Sequence, residues 1–209
     1  MTQQLDHGTA SDKLRPDLKL IADQLDSHCT LLDVGCADGT LLQWLFKHKN
    51  IDGRGIELEV ANVQSCVEKG LFVVQGDADT DLNDYGDDSF DYVVLSRTLQ
   101  AVHRPRDVLS NLLRIGNKAV VTIPNFGFWR VRLSLALSGR MPMTSHLSKM
   151  WYETDNIHFC TIRDMFELIA LDGYHLERFV PVSQSGKPLT HGPRRSNLLA
   201  SQALFIISK

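Results

Sequence analysis

Apolar residues follow two patterns along this chain: short continuous runs, and stretches in which they fall three or four positions apart. The first pattern predicts buried strands, the second helices with one buried face. Helical spacing starts after Pro16, with Leu18, Ile21, Ala22 and Leu25 on one side, and proline suits a first helical position. Thr30 to Val34 predicts a strand, Leu41, Leu42 and Leu45 stripe a helix, and Gly53 to Glu57 predicts a second strand. Val60, Val63 and Val67 predict the buried stripe of a helix that stops at Gly70. Strands follow at Leu71 to Gln75 and Phe90 to Leu95. A helix from Pro105 buries Val108, Leu109, Leu112 and Leu113 and ends at Gly116, before a fifth strand at Ala119 to Ile123. Thr161 can cap a helix carrying Phe166 and Ile169 and closing at Gly173. Tyr174 to Val182 and Gln202 to Ser208 are the last two strands.

Strands alternating with helices predict an α/β fold, Rossmann-like, with a mostly parallel sheet covered on both faces. No helix is expected between the final two strands. Residues 183–201 join them through Gly, Pro and Ser, as a long hairpin would, so the last strand is expected to run antiparallel. Residues 1–13 are polar and read as a flexible N-terminus, and 14–209 as one domain. The stretch 125–160 fits no scaffold element and reads as a lid beyond the fifth strand, where open α/β sheets place ligands.

Composition narrows the classes. At 209 residues with 43% hydrophobic and 22% charged, the chain has a globular balance and the length of about one domain. No apolar run approaches the ~18 residues that span a bilayer, and the polar start shows no secretory signal. A net charge of −3 disfavours binding to a nucleic-acid backbone. Cys29, Cys36, Cys66 and Cys160 form no C-x-x-C pair, which predicts reduced thiols in a cytoplasmic protein.

The strongest chemical signal is Asp33-Val34-Gly35-Cys36-Ala37-Asp38-Gly39-Thr40, a strand running through a glycine-bearing turn into a helix. Glycine permits positive φ and close approach of backbone to a ligand. The dinucleotide fingerprint fails at its third small position, occupied by Thr40. Glu57, at the end of the next strand, can accept two hydrogen bonds from ribose hydroxyls. If Ala37 must take positive φ, its methyl costs on the order of 1 kcal/mol. The turn resembles motif I of class I S-adenosylmethionine-dependent methyltransferases. That resemblance implies a cofactor, S-adenosylmethionine or S-adenosylhomocysteine, surrounded by Asp33, Gly35, Cys36, Ala37, Asp38 and Gly39, by Glu57 and Leu58, by Asp77 and Ala78 against the adenine, and by Ser96 and Arg97 on the other side.

Other motifs carry less. Seven aspartates crowd the stretch between Leu71 and Ser96. Asp77-x-Asp79-x-Asp81 mimics the start of an EF-hand, but Leu82 replaces its glycine and Asp88 its final glutamate; a solvated loop is the plainer reading. His158-x-Cys160 offers two metal ligands without partners, so no metal is expected. His103, His146 and His158 are candidate bases. No Asn/Asp-Pro-Pro-aromatic tetrad is present, which argues against methylation of amino groups on adenine or glutamine. In the lid, Arg130, Arg132, Arg140 and Lys149 face Glu153 and Asp155. Guanidinium groups suit carboxylates on a small substrate or an acidic partner. Phe126, Phe128, Trp129, Trp151 and Tyr152 suit either packing onto the sheet or anchoring an interface.

Longer strings are more specific: Gln-Gly-Asp-Ala-Asp-Thr-Asp-Leu (75–82), Leu-Ser-Arg-Thr-Leu-Gln-Ala (95–101), Pro-Asn-Phe-Gly-x-Trp-Arg-Val-Arg-Leu (124–133), Gly-Arg-Met-Pro (139–142) and Asn-Ile-His-x-Cys-Thr-Ile (156–162). Through them the chain from about Pro16 to Asp172 closely resembles the methionine-biosynthesis protein MetW family. The resemblance implies a methyltransferase-like fold and a role in homoserine O-acylation beside a homoserine O-acyltransferase, as its activating or regulatory partner. Methyl transfer to a small molecule is the alternative.

Overall fold

The computed structural model describes residues 14–143, 150, 153–154 and 157–209. The expected flexible N-terminus, His146, Lys149, Trp151, Tyr152 and Asp155 lie outside the described residues. The elements run α1 (Pro16–Ala22), β1 (Thr30–Val34), α2 (Thr40–Lys49), β2 (Asp52–Glu57), α3 (Val60–Glu68), β3 (Phe72–Gln75), a 3-10 turn (Asp81–Asp84), β4 (Phe90–Ser96), α4 (Pro105–Ile115), β5 (Gly116–Pro124), α5 (Trp129–Ser138), α6 (Ile162–Leu171), β6 (His175–Val182), α7 (Pro193–Leu199) and β7 (Gln202–Ser208). The seven strands form one sheet in the order β3-β2-β1-β4-β5-β7-β6. All neighbours are parallel except at β7, which runs antiparallel to β5 and β6, as the expected last reversed strand.

Alternation along the strands divides the core in two. Val93, Leu95, Val121, Ile123 and Phe205 face α4 and α6, while Tyr92, Val94, Val120, Leu204 and Ile206 face α1 and α2. Pro105 does open α4, and Thr161 builds a full capping box with Asp164 at α6. Strand order reverses between β1 and β4, so the connections leaving their carboxyl ends run in opposite directions and open a crevice there.

Three expectations needed correction. α3 buries Cys66 rather than a valine stripe; Val60 and Val67 are 50% and 59% exposed, because this helix covers only the narrow β2–β3 margin of the sheet. The stretch beyond β5 contains a scaffold element after all, α5. The connection from β6 to β7 contains α7, seeded by Pro193 at its first position. Among the described residues no helix is long and apolar enough to cross a membrane.

Candidate nucleoside-binding cleft

The turn after β1 takes left-handed backbone at Gly35 (φ 71°), Ala37 (φ 49°) and Gly39 (φ 72°). A side chain at Gly39 would meet Leu71 and Cys66 at 2.5 and 2.8 Å, so glycine there lets α2 start close against α3. Ala37 does occupy the strained region and carries the methyl penalty. Its N–H donates to Glu57 Oε2 at 2.7 Å, and Glu59 N–H donates to Glu57 Oε1 at 3.0 Å. Glu57 therefore fastens the turn from the end of β2. A carboxylate oxygen has two acceptor sites, so each oxygen keeps one for a ligand hydroxyl.

Two lobes meet at Gly35 and Ala37. The first, about 320 Å³, is lined by Val34, Ile56, Glu57, Leu58, Asp77 and Ala78, among others. It joins apolar walls to two carboxylates, which suits a flat base and a diol-bearing sugar. The second, about 350 Å³, is lined by Asp33, Cys36, Asp38, Ser96, Arg97 and Arg15, among others. Every expected site residue lines one lobe or the other except Gly39, whose part is to shape the turn. Cys36 enters by its backbone, since its thiol lies against Gly55 in the core. The Asp38 carboxylate turns aside to Thr40 and Lys69.

Charge in the second lobe is arranged in opposition. Asp33 is 2% exposed, and its Oδ1 is buried without a hydrogen-bond donor among the described residues. Burial first, then repulsion from the Glu57 carboxylate, pushes Asp33 up to about 7. Around the same lobe stand Arg15 and Arg97, each paired with Asp17 at 3.4 and 3.9 Å. An orphaned acid beside two guanidinium groups suits an α-amino acid, with its ammonium toward Asp33 and its carboxylate toward the arginines. These two lobes are thus compatible with the two halves of a nucleoside that carries a free amino acid, such as S-adenosylmethionine. Arg15 was not among the sequence candidates. Nothing in the sequence links the entrance to α1 with the end of β4.

Most aspartates of the acidic stretch are engaged within the fold. Asp79 accepts from the N–H groups of His103 and Arg104, Asp81 from that of Asp77, and Asp91 from Thr30. Asp87 pairs with Arg114 and Asp88 with Lys209. No cluster able to hold a metal occurs among the described residues, and the four cysteines are free. His103 lines the first lobe, while His158 is exposed, its ring 3.4 Å from the His103 carbonyl. Of the lid aromatics, Phe128 is buried, Phe126 packs tilted against Phe159 with centroids 4.7 Å apart, and Trp129 is exposed.

Asn125, in the Pro-Asn-Phe-Gly string, had no role at the level of sequence. It is 1% exposed. Its amide donates to the carbonyls of Asn197 and Ala200 and accepts from the N–H groups of Gly127 and Ile162, tying the end of β5 to α6 and α7. Gln100 is a second junction. Its carbonyl accepts from Ile157 and His158 N–H, and its side chain donates to the Pro124 carbonyl and to Cys160 Sγ. The neighbouring Thr98, Ala101 and Val102 line the first lobe.

A seven-stranded sheet with one reversed strand and a cleft at the carboxyl ends of β1, β2 and β4 defines a class I S-adenosylmethionine-dependent methyltransferase fold. Solved structures share it. The Haloferax volcanii putative methyltransferase in complex with the Trm112 methyltransferase activator gives a TM-score of 0.67 at 15% identity, covering 92% of this chain and 88% of that one. A methyltransferase from Thermotoga maritima, described as a possible histamine N-methyltransferase, gives 0.63 at 18% identity, covering 93% and 87%. Within that fold the chain belongs to the family described as methionine biosynthesis protein MetW, which it matches over residues 15–207. A curated relative, the bifunctional methionine biosynthesis protein MetXA/MetW of Rhodopirellula baltica, is 30% identical over 166 residues, 75% of this chain. The matched region is 27% of that relative's length.

Proposed function

We propose that this protein binds S-adenosylmethionine or S-adenosylhomocysteine in the two-lobed cleft and acts in methionine biosynthesis as the activating or regulatory partner of a cytoplasmic homoserine O-acyltransferase. The observation that carries the reading is the relative that joins MetXA and MetW in one chain. Fusing two proteins gives them a high effective concentration for each other, which is useful where they work in contact. In this reading Asp33 holds the cofactor's ammonium, Arg15 and Arg97 its carboxylate, Glu57 the ribose hydroxyls, and Asp77 and Leu58 the base. The Gln100 junction ties the cleft wall to the segment around His158 and to the end of β5, so cofactor occupancy and partner contact bear on one hydrogen-bonded node.

Coupling of this kind is reciprocal: if the cofactor changes affinity for the partner, the partner changes affinity for the cofactor by the same factor. The test is calorimetric titration of S-adenosylmethionine into the protein alone and with the acyltransferase, beside acylation assays of each and of both. Different cofactor affinities and higher activity of the pair are expected. Equal affinities reject regulation through the cofactor.

Methyl transfer to a small molecule is the second reading, favoured by His103 in the cleft wall. The bound sulfonium would supply the activated methyl group, leaving the protein to align an acceptor. Formation of S-adenosylhomocysteine on addition of candidate acceptors decides it.

A further inference from the structure

We propose that the outer face of α5, with the methionine-bearing segment after it, is the surface on which the acyltransferase docks; this rests on the reading above that such a partner exists. Trp129, Leu133, Ala136 and Leu137 stand at positions i, i+4, i+7 and i+8 and share one side of α5, while Leu135, 48% exposed, lies off that side. Of the ten residues in α5 only Val131 is buried, while Trp129, Leu133 and Leu137 are 40%, 46% and 79% exposed. Beyond the helix Met141 and Met143 are also exposed. A concentration of exposed apolar side chains marks an interaction surface, and aromatic and methionine residues are enriched in such surfaces.

Charge points to the occupant. Arg130 and Arg132 flank the stripe on either side, Arg140 follows it, and no Asp or Glu occurs between Asp107 and Glu153 in a chain of net charge −3. Arg132 donates to the Gly127 carbonyl and Arg130 to Gln184, which positions both guanidinium groups beside the stripe. The complementary partner is a protein face with an apolar centre and an acidic rim. A second exposed apolar patch, Phe72 and Val74 on the edge strand β3, lacks this one-signed rim: Lys47 and Lys69 border its groove together with Asp52. The helix departs from the end of β5, which Asn125 and Gln100 anchor beside the cleft. The MetXA portion of the fused relative favours a protein over a lipid surface as the occupant.

The experiment uses the full chain and the purified homoserine acyltransferase of the same organism, with binding measured by interferometry. Variants Leu133→Glu, Leu137→Glu and Phe72→Glu are compared, and S-adenosylmethionine titration with thermal melting verifies that each is folded. The unmodified chain is expected to bind, the two α5 variants at least tenfold more weakly with unchanged cofactor affinity, and Phe72→Glu as the unmodified chain does. Raising salt is expected to slow association. If the unmodified chain binds and the folded α5 variants bind equally well, the surface is wrong and the partner reading stands. If the unmodified chain does not bind, both fall. Equal partner binding with loss of self-association, or with loss of binding to phosphatidylglycerol vesicles, assigns α5 to a second copy or to a membrane and overturns the proposal.

Discussion

Replacing Asp33 by asparagine isolates the cost of holding a carboxylate at the base of the cleft. The Asp33 side chain is almost fully enclosed, its Oδ1 has no donor among the described residues, and the Glu57 carboxylate repels it. Its pKa rises from the ordinary 3.8 to about 7, so the folded state binds this proton more tightly than the unfolded chain does. The ionisation of Asp33 therefore carries no penalty below about pH 4. Its penalty grows as pH rises toward 7 and is complete above that. The interval between 3.8 and about 7 corresponds to roughly 4 kcal/mol. Asp33→Asn removes the titration but leaves an amide to satisfy, a constant offset of about 1–3 kcal/mol. The assay is urea unfolding of both proteins from pH 4.5 to 8.5. The stability of Asp33→Asn relative to the unmodified protein is expected to rise by several kcal/mol across that range, whatever the offset. Parallel profiles would refute the reasoning. S-adenosylmethionine is expected to stabilise the unmodified protein more at pH 8 than at pH 5, where Asp33 is protonated and cannot pair with an ammonium.

Glu57→Ala is expected to weaken cofactor binding by ~2–4 kcal/mol, from two lost charged hydrogen bonds, and also to lower the melting temperature, since Glu57 accepts from Ala37 and Glu59; unchanged affinity in calorimetry would remove it from the site. Ala37→Gly relieves a left-handed alanine and is expected to raise stability in denaturant by up to about 1 kcal/mol; a loss would mean that the flexibility of glycine in the unfolded chain outweighs the strain. Asn125→Ala breaks four hydrogen bonds, three of them buried, and is expected to cost about 3–5 kcal/mol of stability. Asn125→Asp is expected to cost more, because a carboxylate would then face the Asn197 and Ala200 carbonyls, and comparable unfolding midpoints would contradict the bonding described.

Much of the scaffold was legible because its signals are local. The apolar runs of β1, β4, β5 and β7 are buried on both faces, Pro105 and Thr161 open helices by their own chemistry, and Gly70 and Gly173 take the left-handed backbone that ends a helix. The grouping of residues at the carboxyl ends of β1, β2, β3 and β4 was legible too, since parallel strands bring those ends to one edge. The helices α5 and α7 were not. In α5 the apolar residues Trp129, Val131, Leu133, Leu135 and Leu137 occupy every second position, a strand-like alternation that masks the helical spacing of Trp129, Leu133, Ala136 and Leu137, and no side chain caps its start. In α7 seven residues are too few to display a periodic face. The valines of α3 satisfied the helical pattern, yet only the position of that helix over the sheet margin decided which side was covered.

The sequence by itself determined the strands and most of the helices, where the chain turns, and that carboxylates stand at the carboxyl ends of β1 and β2 and just beyond β3. Tertiary structure alone decided that Asp33 Oδ1 is enclosed without a donor among the described residues, that Arg15, at the entrance to α1, comes round to the same lobe, and that Asn125 and Gln100 tie the loops together. The physical reason is distance along the chain. Turn, cap and periodicity are written within a few residues, whereas desolvation and pairing depend on groups that only the packed sheet brings within a few ångströms of one another.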